Sequence, residues 1–328
     1  FYVGGMPWEL GIKKLSISNN DGHVDIVGQQ LSLTSQEQRI EAQMNICGLP
    51  SDKVELDFNR FNLNLLSKIL LQESPLSIEG DIGGRLSLYG LNETPYFNAD
   101  LTIDSCIVNK QLLETVRLTS NWNAELNLLN LNLDSRQVTA NGFMEMTDSH
   151  GSTETGKRDN LHFNVDFSGF ELALVAPFFA SFSSLFEGQL HGSFDIGGTL
   201  TQPTVLGEAH IENGAFKLDI TNVTYHFSDR IRFNNNEVIL NNFVFTDPLG
   251  NNAMADGSLM LTNSGGMEYT LQLHTSNLMI LDKQGGESFY GKLLASADGM
   301  VRGNTERMNI AVQARTNPPG QSPCRREI

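Results

Sequence analysis

The stretch Leu161-His162-Phe163-Asn164-Val165-Asp166-Phe167 decides the fold class. Leu161, Phe163, Val165 and Phe167 fall on one side of an extended chain, and the three polar residues fall on the other. Side chains alternate along a strand, so this spacing predicts one face on apolar material and one in water. The same spacing recurs at Leu86/Leu88, Ala99/Leu101/Ile103, Leu129/Leu131/Leu133, Phe216/Leu218/Ile220, Val223/Tyr225/Phe227, Ile231/Phe233, Phe243/Phe245, Tyr269/Leu271/Leu273 and Ile310/Val312. Between these runs lie Asp21-Gly22, Asn141-Gly142, Asn213-Gly214, Asp256-Gly257 and Asp298-Gly299. Such dipeptides accept positive φ and predict tight hairpin turns. The expected fold class is all-β, a mostly antiparallel sheet.

Two segments break the alternation. Residues 63–71 and 172–185 carry the denser apolar spacing of short helices, with Pro177 placed where a first helical turn tolerates it. These two segments expose an internal repeat. Asp57-Phe-Asn-Arg-Phe-Asn-Leu-Asn-Leu65 matches Asp166-Phe-Ser-Gly-Phe-Glu-Leu-Ala-Leu174 in character. Downstream, Glu79, Gly80, Gly84, Gly90 and Pro95 recur as Glu187, Gly188, Gly192, Gly198 and Pro203, each displaced by 108 residues. A weaker third start follows at Phe289-Tyr290-Gly291, with Gly299 and Gly303 beyond it. The repeat is about 105 residues, a helix, a glycine-marked hairpin and a meander. The expected segments are the end of a preceding repeat over 1–56, repeat one over 57–165, repeat two over 166–288, a truncated third over 289–316 and an irregular tail over 317–328.

A closed sandwich and one extended curved sheet both satisfy a unit of this size. The repeat boundary falls inside a hairpin, and no linker rich in Pro, Ser and Gly separates the copies. Trp8 and Trp122 are the only tryptophans, so the buried landmarks of sandwich domains are missing. The reading favoured is an elongated sheet whose inner face forms an open hydrophobic groove. A tandem β-sandwich adhesin or interaction module is the alternative.

Composition narrows the function. With 328 residues, 40% hydrophobic and 18% charged, the chain has the length of about two domains and is neither a disordered acidic tail nor a helical membrane bundle. A formal charge of −16, with basic residues clustered only in pairs such as Lys13-Lys14, excludes tracking of nucleic-acid phosphates. Cys47, Cys106 and Cys324 are too few and too scattered for a disulfide framework or a zinc site. The longest apolar run, Leu172 to Ala180, is nine residues, against the roughly 20 a membrane helix requires. Because the sequence opens at Phe1, it reads as a piece of a longer protein, so the lack of an anchor or export signal carries no weight.

No nucleophile elbow, metalloprotease helix, P-loop or dinucleotide fingerprint occurs. The seven histidines are scattered along strands, and the acidic residues form no calcium loop. The chain is expected not to be an enzyme and to carry no cofactor or metal. The candidate site is instead an apolar face, lined by Leu161, Phe163, Val165, Phe167, Phe216, Leu218, Tyr225, Phe227, Phe243 and Phe245. Gly80, Gly84, Gly90, Gly188, Gly192 and Gly198 are read as bends and close approaches in its strands. The segment 172–185, with Phe178, Phe179 and Phe182, is expected to cap one groove edge.

One stretch carries a resemblance. Gly188-Gln-Leu-His-Gly-Ser-Phe-Asp-Ile-Gly-Gly198-Thr-Leu-Thr-Gln-Pro203-Thr-Val-Leu-Gly207, then Ile231-Arg-Phe233 and Asp247-Pro-Leu-Gly-Asn-Asn-Ala-Met-Ala-Asp-Gly257, resembles the C-terminal domain of the TamB family, one of the AsmA-like bridge proteins. Tyr290-Gly291 and the Arg302-Gly303 hairpin resemble that domain's closing segment. The likeness extends over 186–316 and is fainter, at the level of the repeat, over 50–150.

The resemblance implies a long β-taco in the periplasm, anchored to the inner membrane outside this stretch. It also implies an Omp85-type outer-membrane barrel (TamA- or BamA-like) and phospholipid as partners, and no nucleic acid. The functions it implies are phospholipid transport between the membranes and assembly or secretion of outer-membrane proteins and autotransporters. The tail Asn317-Pro-Pro-Gly-Gln-Ser-Pro-Cys-Arg-Arg-Glu-Ile328 departs from the family's closing strands.

Overall fold

Period-two runs joined by short connections pair antiparallel with their sequence neighbours, and the structure consists almost entirely of such pairs. The computed structural model describes residues 2–3, 6–20, 23–49, 51–64, 77–91, 95–146, 160–180, 182–200, 202–235, 237–261, 267–285, 290–304 and 308–315. The chain divides into two compact units, Phe1–Val165 and Asp166–Ile328.

In the first unit, β1 (Tyr2–Val3) and β2 (Met6–Pro7) form a small ladder. There follow β3 (Glu9–Asn20), β4 (His23–Ser35), β5 (Gln38–Ile46), β6 (Lys53–Asn62), β7 (Ile78–Tyr89), β8 (Tyr96–Val108), β9 (Gln111–Asn123), β10 (Leu128–Asp134) and β11 (Val138–Glu145). From β3 to β11 each strand pairs antiparallel with the next. β12 (Leu161–Glu171) has residues 161–165 in the first unit and the rest in the second. The second unit continues with β13 (Phe186–Thr199), β14 (Gln202–Leu218), β15 (Val223–Asn234), β16 (Glu237–Thr246), β17 (Asn252–Leu261), β18 (Met267–Lys283), β19 (Gly291–Asn304) and β20 (Met308–Arg315). It is again a meander of sequential antiparallel pairs.

The repeat is written into strand register. In β7–β8, Ile82 faces Ile103, Gly84 faces Leu101, Leu86 faces Ala99 and Leu88 faces Phe97. In β13–β14 the residues 108 further on pair in the same way: Leu190 with Ile211, Gly192 with Ala209, Phe194 with Gly207 and Ile196 with Val205. The register slips at Gly80 in the first copy and at Gly188 in the second. On the partner strands, Ser105 (φ 52°) and Asn213 (φ 51°) occupy equivalent bulges. Further slips fall in the β4–β5, β6–β7, β15–β16, β16–β17 and β18–β19 pairs. Each bulge bends its strand and raises the local twist, and in series they curl the sheet of each unit.

The curl can be measured. Strands three places apart in a flat sheet lie about 14 Å from one another. Yet Trp8, the residue just before β3, meets Phe61 of β6 with ring centroids 5.8 Å apart. In the second unit the Tyr225 hydroxyl of β15 donates to the Met279 carbonyl of β18 at 3.0 Å. Each unit therefore folds its apolar face inward.

Two expectations are corrected. Of the turn dipeptides, Asp21-Gly22 lies outside the described residues. The other four sit inside β11, β14, β17 and β19 rather than between strands. Gly214 and Gly142 are needed for room: a Cβ on Gly214 would stand 2.4 Å from the Phe227 ring, and one on Gly142 would stand 2.1 Å from the His162 carbonyl oxygen. The segment 172–185 forms two 3-10 turns, Leu172–Leu174 and Ala176–Phe179, instead of a helix. Pro177 supplies no N–H for a longer ladder, and burial of Leu172 and Leu174 holds the chain against β13. Most of the other expected helix, 63–71, lies outside the described residues.

On the outer face, charges alternate across strands. Arg85 on β7 pairs with Asp57 on β6 at 2.8 Å, and Arg117 on β9 pairs with Asp100 on β8 at 3.0 Å. All four are exposed or nearly so, and such pairs contribute little stability; they keep this face wet. Cys106 is buried and Cys47 half-buried, both as free thiols, while Cys324 lies outside the described residues. Among the described residues no helix is long and apolar enough to cross a membrane.

Candidate functional site: two apolar faces, one open and one filled

Residues directly opposite one another on paired strands share a face, so register defines the inner face of each unit. In the first unit one row runs Ile12, Leu31, Ala42, Leu56, Leu86, Ala99 from β3 to β8. A second row runs Leu15, Gly28, Met44, Val54, Leu88, Phe97 across the same strands. Toward β6–β8 the face packs on itself, around Trp8, Phe61, Ile82, Ala99 and Leu101. Toward β3 it is bare: Leu10 is 58% exposed, Ile12 51% and Ile17 66%. Leu15 and Val24 are exposed beside them. Leu10 faces Leu33 and Ile17 faces Ile26, so the stripe belongs to the inner face and not to the wet one. Large aliphatic side chains left uncovered in a row mark an interaction surface.

The second unit is different. Its inner face is filled by its own rings. Phe194 stands edge-on to Phe167 (5.5 Å) and to Phe233 (4.9 Å). Tyr225 stands edge-on to Phe245 at 5.2 Å, and Phe227 lies 5.3 Å from Phe243. Small residues face the large ones across the ladder, as in Phe194–Gly207, Phe245–Ala253 and Phe243–Ala255, so the rings interdigitate. Over one end of this floor passes the second half of β18. Its first half pairs with β17 as far as Thr275, where the register breaks. Beyond that point it pairs only with β19 and crosses to β15, burying Leu278 and Met279 on the floor.

Hydrogen bonds hold the crossing, among them Tyr225 Oη–H to the Met279 carbonyl. Asp282 N–H donates to the Thr221 carbonyl (3.0 Å), and Asn222 Nδ2 donates to the Asp282 carbonyl (2.7 Å). Met279 N–H donates to Asp247 Oδ2 at 2.7 Å. The Asp247 carboxylate, 2% exposed, also accepts from the backbone of Leu249 and from the backbone and side chain of Asn251. Burial pushes this carboxyl up, but the donors around it outweigh burial and hold it below its usual value. Burial, with the Asp247 charge nearby, pushes the Tyr225 hydroxyl well up, so it stays a donor.

The lining residues expected from sequence divide between these settings. Leu161 and Val165 are buried and Phe163 half-buried in the first unit. Phe167, Phe216 and Leu218 are half-buried, while Tyr225, Phe227, Phe243 and Phe245 are buried, all in the aromatic floor of the second unit. The open stripe on β3 and β4 escaped the sequence reading. Leu10/Ile12 and Leu15/Ile17 each alternate, but Lys13-Lys14 interrupts the period and hides their common face.

Of the expected bend glycines, Gly80 and Gly188 sit at bulges, and Gly84 and Gly192 sit where the neighbouring backbone presses close. Gly90 follows the last residue of β7, and Gly198 lies near the end of β13. The segment expected to cap the groove places Leu172 in the core cluster of the second unit, with Phe179 on Phe182 (6.0 Å) and Phe186 (4.4 Å). His162 stacks on Phe143, and His191 Nδ1 accepts from Gly169 N–H. Among the described residues no group of three or more His, Cys, Asp or Glu is placed to hold a metal.

Residues 14–211, more than half of the chain, match the family model described as TamB, N-terminal domain. The chain belongs to the TamB family. No curated protein and no solved structure gives a match. The TamB match runs from within β3 into β14, so it takes in most of the open stripe and both copies of the glycine-marked hairpin. It is to the N-terminal domain, whereas the resemblance drawn from sequence names the C-terminal domain over 186–316. The two overlap only at 186–211.

Proposed function

We propose that this TamB-family segment shields apolar cargo, the acyl chains of phospholipid above all, along the inner face of its first unit. The observation that supports this is the exposed stripe Leu10, Ile12, Leu15, Ile17 and Val24, continuous in register with an apolar sheet face six strands wide. Each CH₂ brought into water costs about 0.8 kcal/mol, so a chain of about 16 carbons faces a barrier on the order of 12 kcal/mol. A trough that covers the chain along its path lowers that barrier with no chemical step, cofactor or metal.

On this reading the protein works in the periplasm, held to the inner membrane by an anchor outside this segment. It delivers to an outer membrane where an Omp85-type barrel (TamA- or BamA-like) is its partner, and it also supports assembly and secretion of outer-membrane proteins and autotransporters. The test is transfer of labelled phospholipid between donor and acceptor vesicles. Ile12→Asp and Ile17→Asp should slow it about tenfold or more, since a carboxylate must be desolvated wherever a chain lies on it. Wild-type transfer by the folded variants would refute the reading.

A further inference from the structure

We infer that the paired strand segments 276–283 and 291–295 form a lid over one end of the aromatic face of the second unit, and that acyl chains reach that end only when the lid lifts. The inference rests on the transport reading above and adds a control point to it.

Four observations converge. First, the floor under the lid is as apolar as the open stripe of the first unit and richer in rings, with Tyr225, Phe227, Phe243 and Phe245 all buried. It is hidden by the chain's own side chains. Second, the lid differs from the sheet it continues. Up to Thr275, β18 has a ladder partner on each side; from Leu278 to Lys283 its only ladder partner among the described strands is β19. Third, two register breaks, Thr275/Leu278 and Met279/Leu281, fall at the base of the lid and within it. A bulged strand is already bent there, which sets the direction of the crossing. Fourth, on the side away from β19 the lid is fastened by separate hydrogen bonds rather than a ladder, at Thr221, Asn222 and Tyr225 and at Asp247 and Asn251 in the β16–β17 turn. Without a ladder on that side, the segment can open as a local unit and leave the rest of the sheet paired.

The lid's inner side is apolar. Leu278, Met279 and Ala295 are buried in the same cluster as the floor, and Ile280 and Leu294 pack against that cluster. When the lid lifts, an acyl chain can replace these contacts with contacts of the same kind. Opening therefore exchanges one apolar occupant for another, and the hydrogen bonds set which state prevails.

The test uses the full chain with vesicles of phosphatidylethanolamine and phosphatidylglycerol carrying a trace of diazirine-acyl phosphatidylethanolamine. Cross-linked peptides are then read by mass spectrometry. Tyr225→Phe removes one neutral buried hydrogen bond and should raise labelling of 223–245 about fivefold, while Asn222→Ala removes an exposed one and should raise it by less. Labelling of 10–17 should stay unchanged. Thr221→Cys with Asp282→Cys places a pair across a backbone hydrogen bond. Oxidising that pair should suppress labelling of 223–245, and reduction should restore it. If 223–245 is labelled equally in wild type, both release variants and the oxidised pair, while circular dichroism reports intact sheet, the lid is refuted and the first-unit reading survives. If no variant is labelled in either unit, the transport reading fails and the lid fails with it.

Discussion

Phe227→Ala should destabilise the second unit by about 3–5 kcal/mol, the cost of deleting a large ring from a packed interior. Ile17→Asp should change the stability of the first unit by less than about 1 kcal/mol. Both residues lie on inner faces, and both belong to apolar alternations, so sequence pattern alone ranks them as equals. The structure separates them. Phe227 touches Phe216 and Phe243, and its ring lies over the strand at Gly214, where a Cβ would leave no space. Ile17 sits on a bare stripe and is 66% exposed. Denaturant titration followed by amide exchange within each unit reads the two costs separately. A loss below about 1 kcal/mol for Phe227→Ala would mean that the aromatic floor is not packed as described.

Gly192→Val and Gly84→Val carry the second large effect, about 3 kcal/mol or more each, because the obstacle is backbone and cannot rotate away. A Cβ on Gly192 would stand 2.4 Å from the Glu208 carbonyl oxygen and 2.7 Å from the Ala209 Cα. On Gly84 it would stand 2.1 Å from the Asp100 carbonyl oxygen, at a φ of 108° that side chains rarely adopt. The two residues pair with Ala209 and Leu101, also 108 apart, so the same close approach is built twice. Gly83→Ala is the control. Its Cβ would meet only the Phe58 carbonyl oxygen, at 3.9 Å, and stability should move by no more than about 0.5 kcal/mol. Equal losses at Gly83 and Gly84 would point to glycine entropy in place of a blocked approach.

These positions show how much of the molecule was legible in its sequence. Strand class was plain, because period two admits no helix, and the spacing of Gly80 and Gly188 announced a repeat that the ladders repeat pair for pair. Asn213-Gly214 misled, since positive φ serves a bulge as well as a turn. Here the glycine's missing side chain is also what admits the Phe227 ring. The segment 172–185 promised a helix by apolar density, but burial of Leu172 and Leu174 against a strand took precedence over helical pairing. The division into an open and a filled face was not legible at all. Exposure of Ile17 or burial of Phe245 depends on what a curled sheet brings from strands farther along, and no local window contains that information. The lid was hidden for the same reason, because Tyr225 and Met279 meet across 54 residues.

The central claim is that the inner face of the first unit carries acyl chains, and one measurement meets it directly. A photoreactive benzophenone residue is placed in turn at Ile17, on the bare inner stripe, and at its neighbour Ser18, which points to the wet face. The chain is then irradiated in cells that make both membranes. The expected result is a phospholipid adduct at position 17 and none at position 18. Adducts at both positions in equal yield, or at neither, would contradict the account.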